Sequence, residues 1–253
     1  MAMAAVRWFV LGLALTGNVL ADTIRVRADV WYPVNGDPAA VRPGFGIEAL
    51  RLIWGDAGHQ LDYQLMSWGR SLSAVRSGAA DCVIGAYKQD APDLRFPAQM
   101  LGQDGVGVYV RASDDWGYTG TASLADRTVG VIADYSYGKS LDDWLADTAN
   151  ADRIEIAYGV DALEGNIRKL LAGRVDVLFE SPMVMASSLS TLDLEPFVRL
   201  AGEGKPETPF YIACSASSSE VPQWLEQFDS GMQRLRDSGQ WRRLLADYGL
   251  NED

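Results

Sequence analysis

"AVRSGAADCVIGAY" (74–87) and "LLAGRVDVLFESP" (170–182) state one pattern twice. In each, an apolar-periodic run stops at a glycine, Gly78 or Gly173. An aspartate, Asp81 or Asp176, then opens a short apolar run. The two aspartates lie 95 positions apart. A helical period closed by Gly reads as a helix with its stop, and the short apolar run reads as a buried strand. One chain therefore carries the same helix–strand unit in two copies.

Working outward from the first copy, Ile24, Val26 and Ala28 alternate with polar positions, a half-buried strand ended by Pro33 and Gly36. Phe45, Ile47, Leu50 and Trp54 follow at helical spacing, closed by Gly55 and Gly58. "LDYQLMSW" is a second strand, "GRSLSAVRSG" a helix and "DCVIGAY" a third strand. That is β-α-β-α-β, the pattern of a parallel sheet with covering helices. Pro92 and Pro97 forbid a continuous helix in the next stretch, and "VGVYVR" is extended. The pattern then restarts and spans 124–190: strand "TVGVIA", helix "YGKSLDDWLADT", strand "RIEIAYG", helix "DALEGNIRKLLAG", strand "VDVLFE" and a short helix with Pro182 in its first turn. "TPFYIACS" is a further strand, and the chain closes with two helices broken at Gly239.

The expected fold class is therefore α/β, two Rossmann-like lobes joined by a two-strand hinge. The final section has no lobe of its own and is expected to pack on the first unit. Lobe 1 is expected at 22–103 and 208–253, and lobe 2 at 104–207. The chain crosses near 101–106 and returns near 203–210. Two crossings make a hinge, and a cleft between lobes is a common ligand site.

The first 21 residues read as a secretory signal peptide: Arg7, an apolar run from Trp8 to Leu15, then Val19-Leu20-Ala21 as a cleavage signal. That run is too short to span a bilayer. Cleavage near Ala21 would take the net charge from −12 to −13, since the leader holds one cation and no acid. So acidic a chain repels nucleic acid, and no nucleic-acid partner is expected. The protein is read as a monomer. Cys82 and Cys214 each sit in an apolar run; export would permit a disulfide, but two free, buried thiols are the expectation.

Catalytic signatures are weak. "YGKS" (137–140) ends like a phosphate loop, but Ala133 stands where the first glycine belongs. "DYSYG" has Asp134 in place of the first glycine of a nucleophile elbow. His59 is the one histidine, read as an exposed loop residue, so neither a Ser-His hydrolase nor a usual zinc site is expected. No cofactor, metal site or catalytic residue is expected, and the protein is not read as an enzyme.

Six stretches taken in order resemble the type II periplasmic solute-binding proteins, specifically the polar amino-acid-binding group, family 3 of the ABC importers. They are "IRVRADVWYPV", "PGFGIEALRLI", "WGRSLSAVRSGAADCVIGAY", "SLADRTVGVIADYSYGKSL", "VDVLFESP" and "DSGQWRRLLADYGL". The resemblance covers nearly the whole chain after the leader; each motif is weak alone, and their order is strong. It implies a ligand cleft drawn from Asp29, Trp31 and Tyr32 of the first loop and from Trp68. It adds the strand end Gly85, Ala86 and Tyr87, the helix N-terminus at Ser136, Tyr137 and Gly138, and Glu180. In that pattern the acidic residue receives the ligand's amine. The helix N-terminus, with its free N–H groups, favours an anionic group.

One departure matters. The family follows the first repeat with "T-x-x-R", whose arginine forks onto an α-carboxylate. Here the segment reads "YKQDAPDLRF", and Asp93 stands about where the arginine belongs. Lys88 and Arg70 are candidate substitutes, and each reads equally as a surface charge. The resemblance implies a periplasmic receptor that captures a small polar amino-acid-like molecule for an ABC permease. A receptor for a cationic amine, a sensory protein serving a membrane kinase or chemoreceptor, and a periplasmic lyase or dehydratase on this fold stand as alternatives.

Overall fold

The protein is described by a computed structural model covering residues 22–251. The expected signal peptide lies outside those residues. The chain runs β1 (Thr23–Ala28), α1 (Phe45–Asp56), β2 (Gln60–Leu65), α2 (Trp68–Arg76), β3 (Cys82–Ala86) and β4 (Gly102–Arg111). It continues with β5 (Val129–Ile132), α3 (Lys139–Ala146), β6 (Ile154–Ala157), α4 (Ala162–Leu171), β7 (Val177–Glu180) and α5 (Pro182–Thr191). The last elements are β8 (Val198–Cys214), α6 (Val221–Asp237) and α7 (Gln240–Asp247).

The strand order is β2-β1-β3-β8-β4-β7-β5-β6. It is symmetric about its middle. In each half a parallel trio, β2-β1-β3 or β6-β5-β7, meets one antiparallel strand, β8 or β4. The two antiparallel strands pair with each other, Gly102 opposite Phe210 through Arg111 opposite Val198. β8 is long because its first part serves the second half and its last residues the first. Fold class and strand content thus match the sequence reading.

The repeated aspartate has the same task in both halves. The Asp81 N–H donates to the Arg25 carbonyl, and its Oδ2 accepts the Arg25 N–H at 2.7 Å. The Asp176 N–H donates to the Thr128 carbonyl, and its Oδ2 accepts the Thr128 N–H at 3.0 Å. Each carboxylate satisfies a backbone donor at the mouth of its parallel pair, where no ladder partner remains. Each also holds an arginine, Arg25 or Arg111. The pattern that repeats in sequence is a register clamp that repeats in space.

The apolar residues gather in separate cores. One joins β1 and β3 to α1, α6 and α7, with Trp54 and Phe228 fully enclosed. The closing helices therefore pack on the first unit. Gly239, in the left-handed region at φ 68°, makes the break between them. The second half holds its own cores, one around Val108, Tyr137 and Phe179 and another around Ile167, Leu178 and Met185.

Two expectations are corrected. Cys82 and Cys214 are not free thiols; they form a disulfide. They face each other directly across β3 and β8, with Cα atoms 4.0 Å apart. His59 is not an exposed loop residue. It is 6 % exposed, its Nδ1 accepts the Asp22 N–H, and its Nε2 meets Gln227 at 3.1 Å.

Candidate functional site

The C-terminal ends of β3 and β7 open onto one space between the halves, as parallel α/β sheets place their sites. From the first half its walls are Asp29, Trp31, Trp68, Ile84, Gly85, Tyr87 and Asp90. From the second they are Gly105, Val106, Tyr135, Ser136, Tyr137, Glu180 and Ser181. The halves touch across it. The Tyr135 hydroxyl donates to Asp29 Oδ2 at 2.5 Å, and Trp31 Nε1 approaches Glu180 Oε1 at 3.4 Å. A side-chain carbon on Gly69 would collide with the Asp134 carboxylate at 2.1 Å, so the start of α2 meets the turn after β5 because residue 69 is glycine. The cleft is shut, with about 50 Å³ left for the centres of water-sized molecules.

Of the residues singled out from sequence, Asp29, Trp31, Trp68, Gly85, Tyr87, Ser136, Tyr137 and Glu180 line this space. Tyr32 does not; its ring lies 5.8 Å from that of Tyr248, and it borders a separate groove with Arg42 and Asp161. Ala86 is buried in a core beside Val83 and Ala213. Gly138 lies behind the wall, where any side chain would meet the stem of Lys205. Neither proposed substitute for the missing arginine reaches the cleft wall. Arg70 is exposed on α2, and Lys88 sits over the Tyr211 ring at 4.2 Å. Asp93, at the arginine's expected place, is bound in two hydrogen bonds by Arg76. Just before α3 the Tyr137 N–H donates to Asp142 Oδ1 and the Ser136 hydroxyl to its Oδ2, each at 2.7 Å, while the helix itself starts at Lys139 without a side-chain cap.

Ile84, Asp90, Gly105, Val106, Tyr135 and Ser181 complete the wall and were not singled out from sequence. Tyr135 and Ser181 adjoin residues that were. Outside the wall the crossing strands hold two more charged groups, Asp104 and Lys205. Lys205 Nζ is buried without a hydrogen-bond partner and stands 3.5 Å over the Tyr87 ring. Asp104 Oδ2 and Glu180 Oε2 are likewise buried and unpartnered.

Burial dominates the electrostatics. It pushes the Glu180 carboxyl up to about 8; the Ser181 N–H and Trp31 Nε1 oppose the rise, while Asp104 and Asp29 add to it. Burial lifts Asp29 to about 6 against the Tyr135 hydroxyl, and Asp104 to about 6 against Ser181 and Lys205. Burial lowers Lys205, and the fields of Asp90, Asp104 and Asp142 hold it up. Each is the expected response of a charge taken out of water.

A two-part sheet with a shut inter-lobe cleft lined by rings and buried acids is the build of a solute-binding protein. The family model for bacterial extracellular solute-binding proteins, family 3, matches residues 28–251, and the chain belongs to that family. No curated protein sequence matches. Among solved structures, a histidine kinase sensor domain with similarity to periplasmic binding proteins aligns with TM-score 0.74 at 20 % identity, over 91 % of this chain and 98 % of that one. An ancestral arginine-binding protein bound to arginine aligns at 0.72 and 19 %, over 89 % and 97 %. A putative L-cystine ABC transporter from Listeria monocytogenes aligns at 0.73 and 17 %, over 92 % and 99 %. These likenesses establish the shared fold. No described helix is long and apolar enough to cross a membrane.

Proposed function

We infer that the protein is an exported receptor that traps a small, amine-bearing polar molecule between two lobes and presents the closed form to an ABC permease. Lobe 2 runs from about 104 to 207 and lobe 1 comprises the rest, with β4 and β8 as the hinge. The observation that carries the reading is Glu180: a carboxylate 3 % exposed, one oxygen unpartnered, on the wall of a closed cavity made by both lobes. A group that costly to bury is accounted for by a ligand that completes it. The aromatic walls desolvate that ligand, and hinge closure shifts the population toward the shut form. The periplasm is the compartment that suits the leader, the disulfide and the family. A sensory role, suggested by the likeness to a kinase sensor domain, uses the same cleft and differs only in the protein that reads closure.

The test is a thermal-shift screen of protein unfolded and refolded to strip ligand. The panel holds amino acids, their amides, polyamines and organic acids. A ligand of the native state alone stabilises by RT ln(1 + [L]/Kd). Selective stabilisation that is lost in Glu180→Gln is the expected result. A hit indifferent to that substitution removes Glu180 from the site.

A further inference from the structure

Two buried groups of opposite charge stand unmatched at the cleft. Glu180 Oε2 and Lys205 Nζ each lie out of water with no hydrogen-bond partner, so they do not bond each other. A buried ammonium with unfilled donors is costly, and an arriving acceptor lowers that cost. Lys205 comes from the stretch of β8 that returns between the halves, opposite Val106 of β4. Val106 and its neighbour Gly105 line the cavity. The stem of Lys205 crosses Gly138, where an added side-chain carbon would sit 2.9 Å from its Cδ. Its ammonium ends 3.5 Å over the ring of Tyr87, a wall residue of the first half. The side chain therefore lies in the seam between the halves, directly behind the wall.

The acids around it do not fill its donors. Asp90, Asp104 and Asp142 hold its charge up against burial, yet it hydrogen-bonds none of them. Asp142 accepts from the Tyr137 N–H and the Ser136 hydroxyl. Ser181 and the Gly105 N–H serve Asp104, whose Oδ2 Lys205 does not reach. The family's receiver of a ligand's acid group is missing: Asp93 stands near its place, and Arg76 binds it. Arg70 is exposed on α2, and Lys88 rests on Tyr211, outside the wall. Lys205 rests on a ring of the wall itself.

Resting on the receptor reading above, we propose that Lys205 is a ligand-binding residue whose ammonium turns off the Tyr87 face and pairs with an acid group of the bound molecule. The flexible lysine stem permits the turn. A carboxylate also offers an ammonium more than a ring face does. The positive charge of the cleft is then delivered from the hinge strand rather than from the first lobe. The bound molecule carries both signs of charge, with its amine toward Glu180 and its acid group toward Lys205.

Isothermal titration of ligand-stripped protein tests this with matched pairs: alanine against alaninamide, serine against serinamide, and arginine against argininamide, beside the tightest binder of the thermal screen. In each pair only the acid group differs. In the wild type at least one amino acid is expected to bind about tenfold or more tighter than its amide. Lys205→Met is expected to erase that preference by weakening the amino acid while the amide keeps its affinity. A merely structural loss would weaken both members alike and leave their ratio unmoved. Lys205→Gln, which keeps a polar end without the charge, gives the same reading if the methionine variant does not fold. A ratio in the folded variant equal to that of the wild type overturns the proposal and leaves the receptor standing, as does a tightest binder with no acid group. Folded wild-type protein that binds nothing in the pairs or the screen overturns the receptor reading and the proposal with it.

Discussion

Glu180 concentrates the chemistry of the molecule in one side chain. Its carboxyl is held at about 8, against an ordinary 4.5, because burial penalises the anion more than the Ser181 N–H and Trp31 relieve it. The sign of the consequence is fixed. Between the ordinary value and about 8 the closed form holds a proton that the unfolded chain has lost, so the stability of the ligand-free closed form falls as pH rises through that window. Asp29 and Asp104 act in the same direction, but only up to about 6. From pH 6 to 8.5 the midpoint of thermal unfolding should therefore decline in the wild type and decline less in Glu180→Gln. Equal slopes in the two proteins would show that Glu180 ionises freely. A cation that binds the anion must displace the proton, so its affinity should rise over the same pH range. Proton release, read by calorimetry in two buffers of different ionisation enthalpy, checks that linkage.

At the scale of elements, the disulfide and the start of α2 do separate work. Cys82–Cys214 ties β3 to the end of β8 and spans 132 positions of sequence, enclosing the whole second half. A loop that long loses much conformational entropy when it is closed in the unfolded chain. Cys82→Ala with Cys214→Ala should cost roughly 2–5 kcal/mol, and chemical denaturation with and without reductant measures it. An unchanged midpoint in the double variant would show that the crosslink contributes nothing. Gly69 acts on closure instead. Valine there would meet Asp134 before the lobes shut, so Gly69→Val should weaken ligand binding by tenfold or more while leaving the empty protein's unfolding midpoint nearly unchanged. Equal affinity in that variant would mean that α2 and the turn after β5 part in the bound form.

Sequence legibility ends where these elements meet. The strands and helices could be read because each keeps one period and one stop, and because Asp81 and Asp176 mark the same clamp twice. Trp31, Trp68 and Glu180 could be placed because they end or follow legible elements. The cysteine pairing could not, since it depends on β8 returning antiparallel beside β3. The burial of His59 is illegible for the same reason: its partner Gln227 lies on α6, far along the chain. Asp104 and Lys205 lie in crossings that give no periodic signal. The pairing of β4 with β8 places them, and Lys205 reaches the Tyr87 ring.

On the scale of the whole molecule, the two halves hold largely distinct cores, with Val184 of α5 joining the first, and they share the antiparallel pair of β4 and β8 and the shut cleft. Under the receptor proposal a small ligand decides between open and closed shapes, and the contacts of Trp31 with Glu180 and of Tyr135 with Asp29, which cross between the halves, belong to the closed one. Small-angle scattering of ligand-stripped protein should show a radius of gyration that contracts on adding the best compound of the thermal screen; a radius that stays constant would mean the lobes do not move. The central claim is that one small molecule occupies this cleft against Glu180. Isothermal titration of that compound into wild-type and Glu180→Gln protein tests it most directly. One molecule bound per chain in the wild type, with binding abolished in the variant, is the predicted result. Unchanged affinity in Glu180→Gln, or a stoichiometry other than one, would contradict it.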